Sequence, residues 1–504
     1  MTATTIPHWI GGAPSTGGEG GTTGSSGRSG DVFNPATGAV TGSVPFASSA
    51  EVDRVVDVAA QAFTTWRDVS LARRAEIMFR FRELLVAHRS DVAAAITAEH
   101  GKVLSDAAGE VQRGIENVEF ACGAPHLLKG AMSHQVATGV DVSSILQPLG
   151  VVAGITPFNF PAMVPLWMFP NALVCGNTFV LKPSEKDPSA SILLAELLAE
   201  AGLPDGVFNV VQGDKEAVDA LLTNPTVQAV SFVGSTPIAR YIYETGTANG
   251  KRVQALGGAK NHMIVLPDAD LGMAADAAVS AAYGSAGERC MAVSVVVAVG
   301  DVADPLVSAI AERAKAVRIG PGTEPDSEMG PLVTREHRDK VAGYLPAAAE
   351  DGARIVLDGR DQRFDGDGFF LGVSIIDDVK PEMSCYQDEI FGPVLGVVRV
   401  PDYDAAVQLL KDNPFGNGTA IFTRDGGAAR RFVDEVPVGM VGVNVPIPVP
   451  VAAFSFGGWG DSLFGDSHMY GPEGLHFYTR SKVVTTRWPD PATSAVDLGF
   501  PQNR

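Results

Sequence analysis

The sequence predicts an α/β protein made of two doubly wound, parallel-sheet domains plus a projecting β oligomerisation arm. Three observations predict it. From Val151 to Thr236, short apolar runs alternate with helical patterns of ten or so residues, as in βαβ units whose sheet is covered on both faces. The same alternation restarts after Gly257-Gly258. Ala131 to Leu149 instead reads as a hairpin projecting from the body, and Leu475 to Trp488 as a strand-like run with no helix to follow it.

In chain order, Ser15 to Gly30 is almost all Gly, Ser and Thr and reads as a mobile loop. Ser48-Ser49-Ala50-Glu51 is a capping box opening a helix whose apolar residues Val52, Val55, Val56, Ala59 and Phe63 share one face. Helical patterns over Leu71 to Gly101 and Ser105 to Phe120 follow, so the first hundred or so residues are expected to be mostly helical. After the hairpin come the strands Val151 to Ile155, Thr178 to Lys182, Phe208 to Val211 and Ala229 to Val233, with helices from Pro161, Ser189, Lys215 and Thr236. The second half offers His262 to Leu266, Val293 to Val299, Phe369 to Ile376, Pro393 to Val400, Thr419 to Thr423 and Met440 to Val445 as strands. Its helices are Leu271 to Tyr283, one to Arg318 capped by Asp304 and started by Pro305, Asp402 to Lys411 and Ala428 to Glu435. The division is 1–130 with 151–258 as a dinucleotide-binding domain, 259–474 as a catalytic domain, 131–150 with 475–490 as the arm, and 491–504 as a tail. The C-terminal run is an unpaired strand whose edge needs covering; a second subunit is the natural cover, so an oligomer is expected, a dimer or a homotetramer built as a dimer of dimers.

A length of 504 residues exceeds one hydrophobic core, and 45% hydrophobic with 19% charged residues is an ordinary globular balance. A net charge of −20 argues against a nucleic-acid partner. The cysteines Cys122, Cys175, Cys290 and Cys385 are too scattered for a disulfide framework or a metal site, which suits a reducing compartment. There is no signal peptide pattern, and the most apolar stretch, Met163 to Cys175, is too short and too interrupted to span a bilayer. A cytoplasmic protein is expected.

The chemistry gathers on five short stretches. Gly284 to Ala292 places Cys290 after small residues and the charged pair Glu288-Arg289; taken alone it could be a buried free cysteine, but Arg289 could favour a thiolate, the attacking form. Thr156-Pro157-Phe158-Asn159 leaves a strand with an amide that could donate to a developing oxyanion. Lys182-Pro183-Ser184-Glu185 carries a cation and an acid where ribose hydroxyls would lie. Phe232-Val233-Gly234-Ser235-Thr236 makes a glycine turn with hydroxyls at a helix start, an anion site. Glu389-Ile390-Phe391-Gly392-Pro393 adds an acid from the second domain. Individually these are weak; the first-domain loops all leave carboxyl ends of parallel strands, where such sheets bind ligands.

Together, in this order, the stretches resemble the signatures of the aldehyde dehydrogenase superfamily from about Phe33 to Trp488. Ala259-Lys260-Asn261-His262, Arg289-Cys290-Met291-Ala292, Asn444 to Pro450, Phe454-Ser455-Phe456 and Ser462 to Asp466 most resemble its CoA-acylating, methylmalonate-semialdehyde branch. The resemblance implies Cys290 as nucleophile, with Asn159 and the Cys290 N–H as oxyanion hole. It implies NAD bound through Thr156, Phe158, Lys182, Glu185, Gly213, Gly234, Ser235 and Glu389, with coenzyme A as cosubstrate. Lys182 and Glu185 would hold the adenosine ribose, Gly213 the adenine, Ser235 the pyrophosphate and Glu389 the nicotinamide ribose. An acid at Glu185 favours NAD over NADP. Hydrolytic relatives carry a glutamate where this chain has Leu256, or Ala255 in a register shifted by one; neither can activate water, which leaves another thiol as acyl acceptor. The branch usually has Asn-Met where this chain has Leu256-Gly257. Arg113 and Arg289 could bind a substrate carboxylate, although Arg113 could also pair with Glu110 or Glu116 one turn away. The expected reaction is oxidation of methylmalonate or malonate semialdehyde, with a hydrolytic NAD-dependent dehydrogenase of another aldehyde and a non-catalytic dinucleotide-binding protein as alternatives.

Overall fold

The structure is a computed structural model that describes residues 4–16, 27–488, 491–493 and 496. The mobile-loop reading of Ser15 to Gly30 falls mainly on residues 17–26, outside the described residues.

Among the described residues, an eight-stranded sheet carries the first domain. Its centre runs, in spatial order, Arg252–Leu256, Val227–Val233, Val151–Ile155, Thr178–Lys182, Phe208–Val210, all parallel. Short antiparallel strands, Leu463–Phe464 on one side and His8–Ile10 with Ala13–Ser15 on the other, close its edges. The central strands are apolar and almost wholly buried because helices such as Ser49–Trp66 and Met163–Val174 cover both faces. From Val151–Ile155 the chain moves outward through Thr178–Lys182 and Phe208–Val210, then returns to Val227–Val233 on the opposite side of its first strand. That reversal opens a crevice at the carboxyl ends of the two neighbouring strands.

The second domain holds a seven-stranded sheet in the order Arg354–Leu357, Ser374–Asp377, Val394–Val400, Val293–Val299, Asn261–Val265, Gly418–Phe422, Met440–Val443, parallel except for the first. A third sheet, Thr479–Arg487, Val140–Pro148 and Ala131–Ala137, is antiparallel. None of the described helices is long and apolar enough to cross a membrane.

Several sequence expectations are corrected. The C-terminal run is not an unpaired strand: Thr479 to Arg487 pairs along its whole length with Val140 to Pro148, so hairpin and C-terminus form one sheet. Leu475 to Phe477 belongs to a preceding helix, Gly471–Phe477. The N-terminal region is less helical than expected, since Ser29–Asn34 and Ala39–Pro45 pair as a hairpin. Leu71 to Gly101 is two helices, Leu71–Ala87 and Arg89–His100, because His88 leaves helical geometry at φ −102 and ψ 17. Asp304 is no cap; its helix starts at Ala303 behind a short 3₁₀ turn. The Phe369 to Ile376 strand shortens to Ser374–Asp377, and Arg335–Glu350, charge-rich with an internal Pro346, is a helix that its weak apolar pattern concealed. The capping box at Ser48 and Glu51 forms as read.

Asn177 ties the arm to the body. Its buried side chain accepts from the Leu149 and Gly150 N–H groups at 2.7 and 3.1 Å and donates to the Ala172 and Tyr478 carbonyls at 3.1 and 2.9 Å. The exit of the chain from the arm after Pro148 and its re-entry before Thr479 therefore depend on one amide. Asn177→Ala would strand these buried groups and should cost about 3 kcal/mol or more, read as a lower urea midpoint.

Candidate active site

Cys290 is delivered by an unusual turn. After the Leu271–Tyr283 helix, Ser285, Ala286 and Gly287 take φ of 54, 53 and 75°, three consecutive left-handed residues. Two of them are not glycine, at a cost on the order of 1 kcal/mol each. At Gly287 a Cβ would sit 2.2 Å from the Gly392 carbonyl, so glycine is required there. The turn is held from below: the Cys290 carbonyl accepts from the Asn261 and Asn417 side-chain amides at 2.9 and 3.0 Å.

Two cavities meet at Cys290. One, of about 220 Å³, is walled by Pro157, Phe158, Asn159, Gly234, Ser235 and Glu389, with Gly257, Gly258, His337 and Phe391 completing it. It is the crevice of the first sheet, closed by the second domain. The other, also about 220 Å³, is walled by Arg113, Arg289, Phe160, Trp167, Ile447 and Phe456. A nucleophile at this junction can face a cofactor on one side and a substrate on the other.

The Asn159 side-chain amide makes no hydrogen bond to another described residue and so is open to the cavity. Ser235 precedes the Thr236–Ala248 helix without capping it, leaving its hydroxyl and the helix N-terminus to an anion. Glu389 is anchored by the Ala259 N–H at 2.9 Å, and a Cβ at Gly258 would meet its other oxygen at 2.2 Å.

Electrostatics keep the resting cysteine protonated. Burial, and after it the nearby Glu389 carboxylate, push the thiol up to about 12; the Cys290 and Met291 amides and Arg289 pull the other way and lose. Arg289, ion-paired with Asp106 at 2.6 Å, does favour the thiolate as expected, but its pull is smaller than the push of burial and Glu389. Burial also pushes Glu389 up to about 7 and Glu288 up to about 8.

The aldehyde dehydrogenase family profile matches residues 22–484. This chain belongs to the aldehyde dehydrogenase family. It is 58% identical over 480 residues to a malonate-semialdehyde dehydrogenase of Pseudomonas aeruginosa, covering 94% of this chain and 97% of that one. It superimposes on the crystal structure of methylmalonate-semialdehyde dehydrogenase from Oceanimonas doudoroffii with a TM-score of 0.94 at 57% identity, covering 97% of this chain and 99% of that one. A Sinorhizobium meliloti structure complexed with NAD, and described as a methylmalonate-semialdehyde dehydrogenase, gives a TM-score of 0.95 at 49% identity, with 98% and 100% covered.

In this aldehyde dehydrogenase the fold brings Phe158, Asn159, Gly234, Ser235, Glu389 and Cys290 to one cavity. Lys182 and Glu185, paired at 3.2 Å, and Gly213 lie at the ends of the next two strands outward, beyond that cavity. Thr156 is buried behind it, its hydroxyl without a partner. Arg113 reaches the second cavity but also pairs with Glu116 at 2.8 Å. Leu256 and Ala255 are buried in the core and are not among the residues that wall either cavity.

Sequence reading singled out Arg113, and Glu110 only as its possible pairing partner, and missed Asp106. Asp106, Glu110 and Arg113 lie four and then three residues apart on the Leu104–Cys122 helix and share the second cavity. Three charged residues at that spacing, on a helix otherwise burying Val111, Ile115 and Val118, were the available signal. His337 and Lys340 in the first cavity, and the buried Glu288, gave none.

Two outcomes follow from the electrostatics. Alkylation of Cys290 by iodoacetamide in the cofactor-free enzyme should accelerate about tenfold per pH unit from pH 7 to 10, because only the thiolate reacts; a rate already level near pH 7 would contradict the raised thiol. Glu288 stays protonated in the folded chain up to about pH 8 but ionises near 4.5 when unfolded, so it binds more protons folded than unfolded in that window. Its contribution to stability is therefore lost as pH rises through it, and the stability of Glu288→Gln relative to wild type should climb from pH 5 to pH 8 in urea titrations.

Proposed function

We propose that this enzyme carries out the NAD-dependent, CoA-acylating oxidation of methylmalonate or malonate semialdehyde, giving propionyl-CoA or acetyl-CoA with loss of CO2. The observation that carries the reading is the pairing of Cys290, opening on a cavity with two arginines, with a buried leucine where hydrolytic relatives place their base. The names of the relatives support the same substrates.

The residues fit a dinucleotide. Gly258 leaves room for the Glu389 carboxylate, and Ser235 heads a helix with its hydroxyl unspent. Glu389 would take the nicotinamide ribose, Ser235 with Gly234 the pyrophosphate, Lys182 and Glu185 the adenosine ribose, and Gly213 the adenine; Thr156 and Phe158 would complete the wall. NAD held there supplies the oxidant for the aldehyde carbon.

Cys290, once deprotonated, adds its sulfur to the aldehyde carbon, and the C=O electron pair moves onto oxygen. Asn159 and the Cys290 N–H hold that oxyanion. After oxidation the carbonyl reforms as a thioester on Cys290. Arg113 and Arg289 orient the β-carboxylate; when its C–C bond breaks, the pair moves to the thioester enolate, held by the same donors, and a proton completes the acyl group. With no base to raise a hydroxide, the CoA thiolate attacks the thioester and Cys290 leaves as thiolate. The arm, whose Met132 and Val483 side chains are 69% and 66% exposed, supports a homotetramer.

The test follows NADH and thioester with and without CoA. Acyl-CoA should form, and turnover should fall at least tenfold without CoA; free acid formed at a rate indifferent to CoA identifies a hydrolytic dehydrogenase instead. Arg113→Gln should raise KM for methylmalonate semialdehyde about tenfold while leaving propanal nearly unaffected, as loss of a carboxylate contact requires.

A further inference from the structure

The oxyanion donor and the nucleophile come from different domains, and something must register one against the other. Lys102 lies between the Arg89–His100 and Leu104–Cys122 helices and is 1% exposed. Its ammonium spends its three donor directions on the Asn159 carbonyl at 2.6 Å, the Glu110 carboxylate at 2.9 Å and the face of Phe160 at 4.4 Å. Glu110 then uses its other oxygen to accept from the Ala162 and Met163 N–H groups at 2.9 and 3.1 Å. The loop carrying Asn159 is thus gripped at its middle and at its far end by one buried pair.

The backbone of Lys102 is fixed from the other side. Leu104 N–H donates to the Gly322 carbonyl at 3.0 Å, and the chain lies so close that a Cβ on Gly322 would meet the Lys102 carbonyl at 2.4 Å. That segment belongs to the domain that carries Cys290. A buried ion pair is weak evidence for stability alone, since desolvation offsets its attraction. Its placement here points to geometry instead.

We infer that Lys102 is a positioning residue for the aldehyde chemistry: it registers the Asn159 amide of the first domain against Cys290 of the second. The inference rests on the oxyanion role of Asn159 and on neither the substrate carboxylate nor CoA. Propanal is therefore the test substrate.

The experiment compares Lys102→Met with wild type by the single-turnover NADH burst, NAD affinity from fluorescence titration, and Cys290 alkylation by iodoacetamide. The expected result is a burst about a hundredfold slower, with NAD affinity and alkylation within about twofold, because only the oxyanion geometry is lost. Lys102→Gln keeps one donor for the carbonyl and should lose about tenfold; it carries the same test if Lys102→Met does not fold. A burst within about threefold of wild type overturns the inference, as does a parallel fall in all three readouts, which marks a general structural role. Asn159→Ala separates the failures: if it too keeps the burst, the oxyanion reading falls with the inference, and if it alone loses the burst, only the role of Lys102 is refuted.

Discussion

The site depends on one constraint: a desolvated cysteine has to face an amide donor that a different sheet supplies. Cys290 belongs to the segment entering Val293–Val299 of the second sheet, and Asn159 to the loop leaving Val151–Ile155 of the first. Under the proposed roles, neither sheet supplies both members of the pair. The Leu104–Cys122 helix bridges them, with Asp106 ion-paired to Arg289 beside the nucleophile and Glu110 bonded to the loop beyond Asn159. One helix face therefore places the cation next to the sulfur, the oxyanion loop, and Arg113.

Burial has opposite effects on chemistry and rest state. It lifts the Cys290 thiol and the Glu389 and Glu288 carboxyls together, so the cysteine rests as a thiol. Arg289 pulls the other way, but burial outweighs it. The same low-dielectric walls strengthen any dipole aimed at a developing oxyanion. A site quiet when empty and strongly polarising when filled is the consequence.

The absence of a base is equally physical. Leu256 ends a central strand, pairs with Val233 in the sheet and packs into the core, where a carboxylate would be costly. The acyl group on Cys290 then waits for a nucleophile that arrives already activated, and a thiol supplies one far more readily than water does.

Much of this was legible in the chain itself. The parallel strands from Val151 to Val233 and from Val293 to Val299 show as unbroken apolar runs because both faces of each sheet are covered, and Cys290, Asn159, Ser235 and Glu389 lie in short stretches whose residue types declare a chemistry. What the chain could not reveal by itself were contacts between residues distant in sequence: nothing local marks Lys102 until its three partners, the nearest eight residues away and two others more than fifty, converge on it. The C-terminal strand looked unpaired because its mate, Val140–Pro148, lies hundreds of residues earlier. Local order and chemical types were determined by the sequence, since periodicity and side-chain chemistry act over a few residues; which charge faces which, and whether a thiol is a thiolate, was decided only by the tertiary structure, since burial and charge pairing belong to the packed whole.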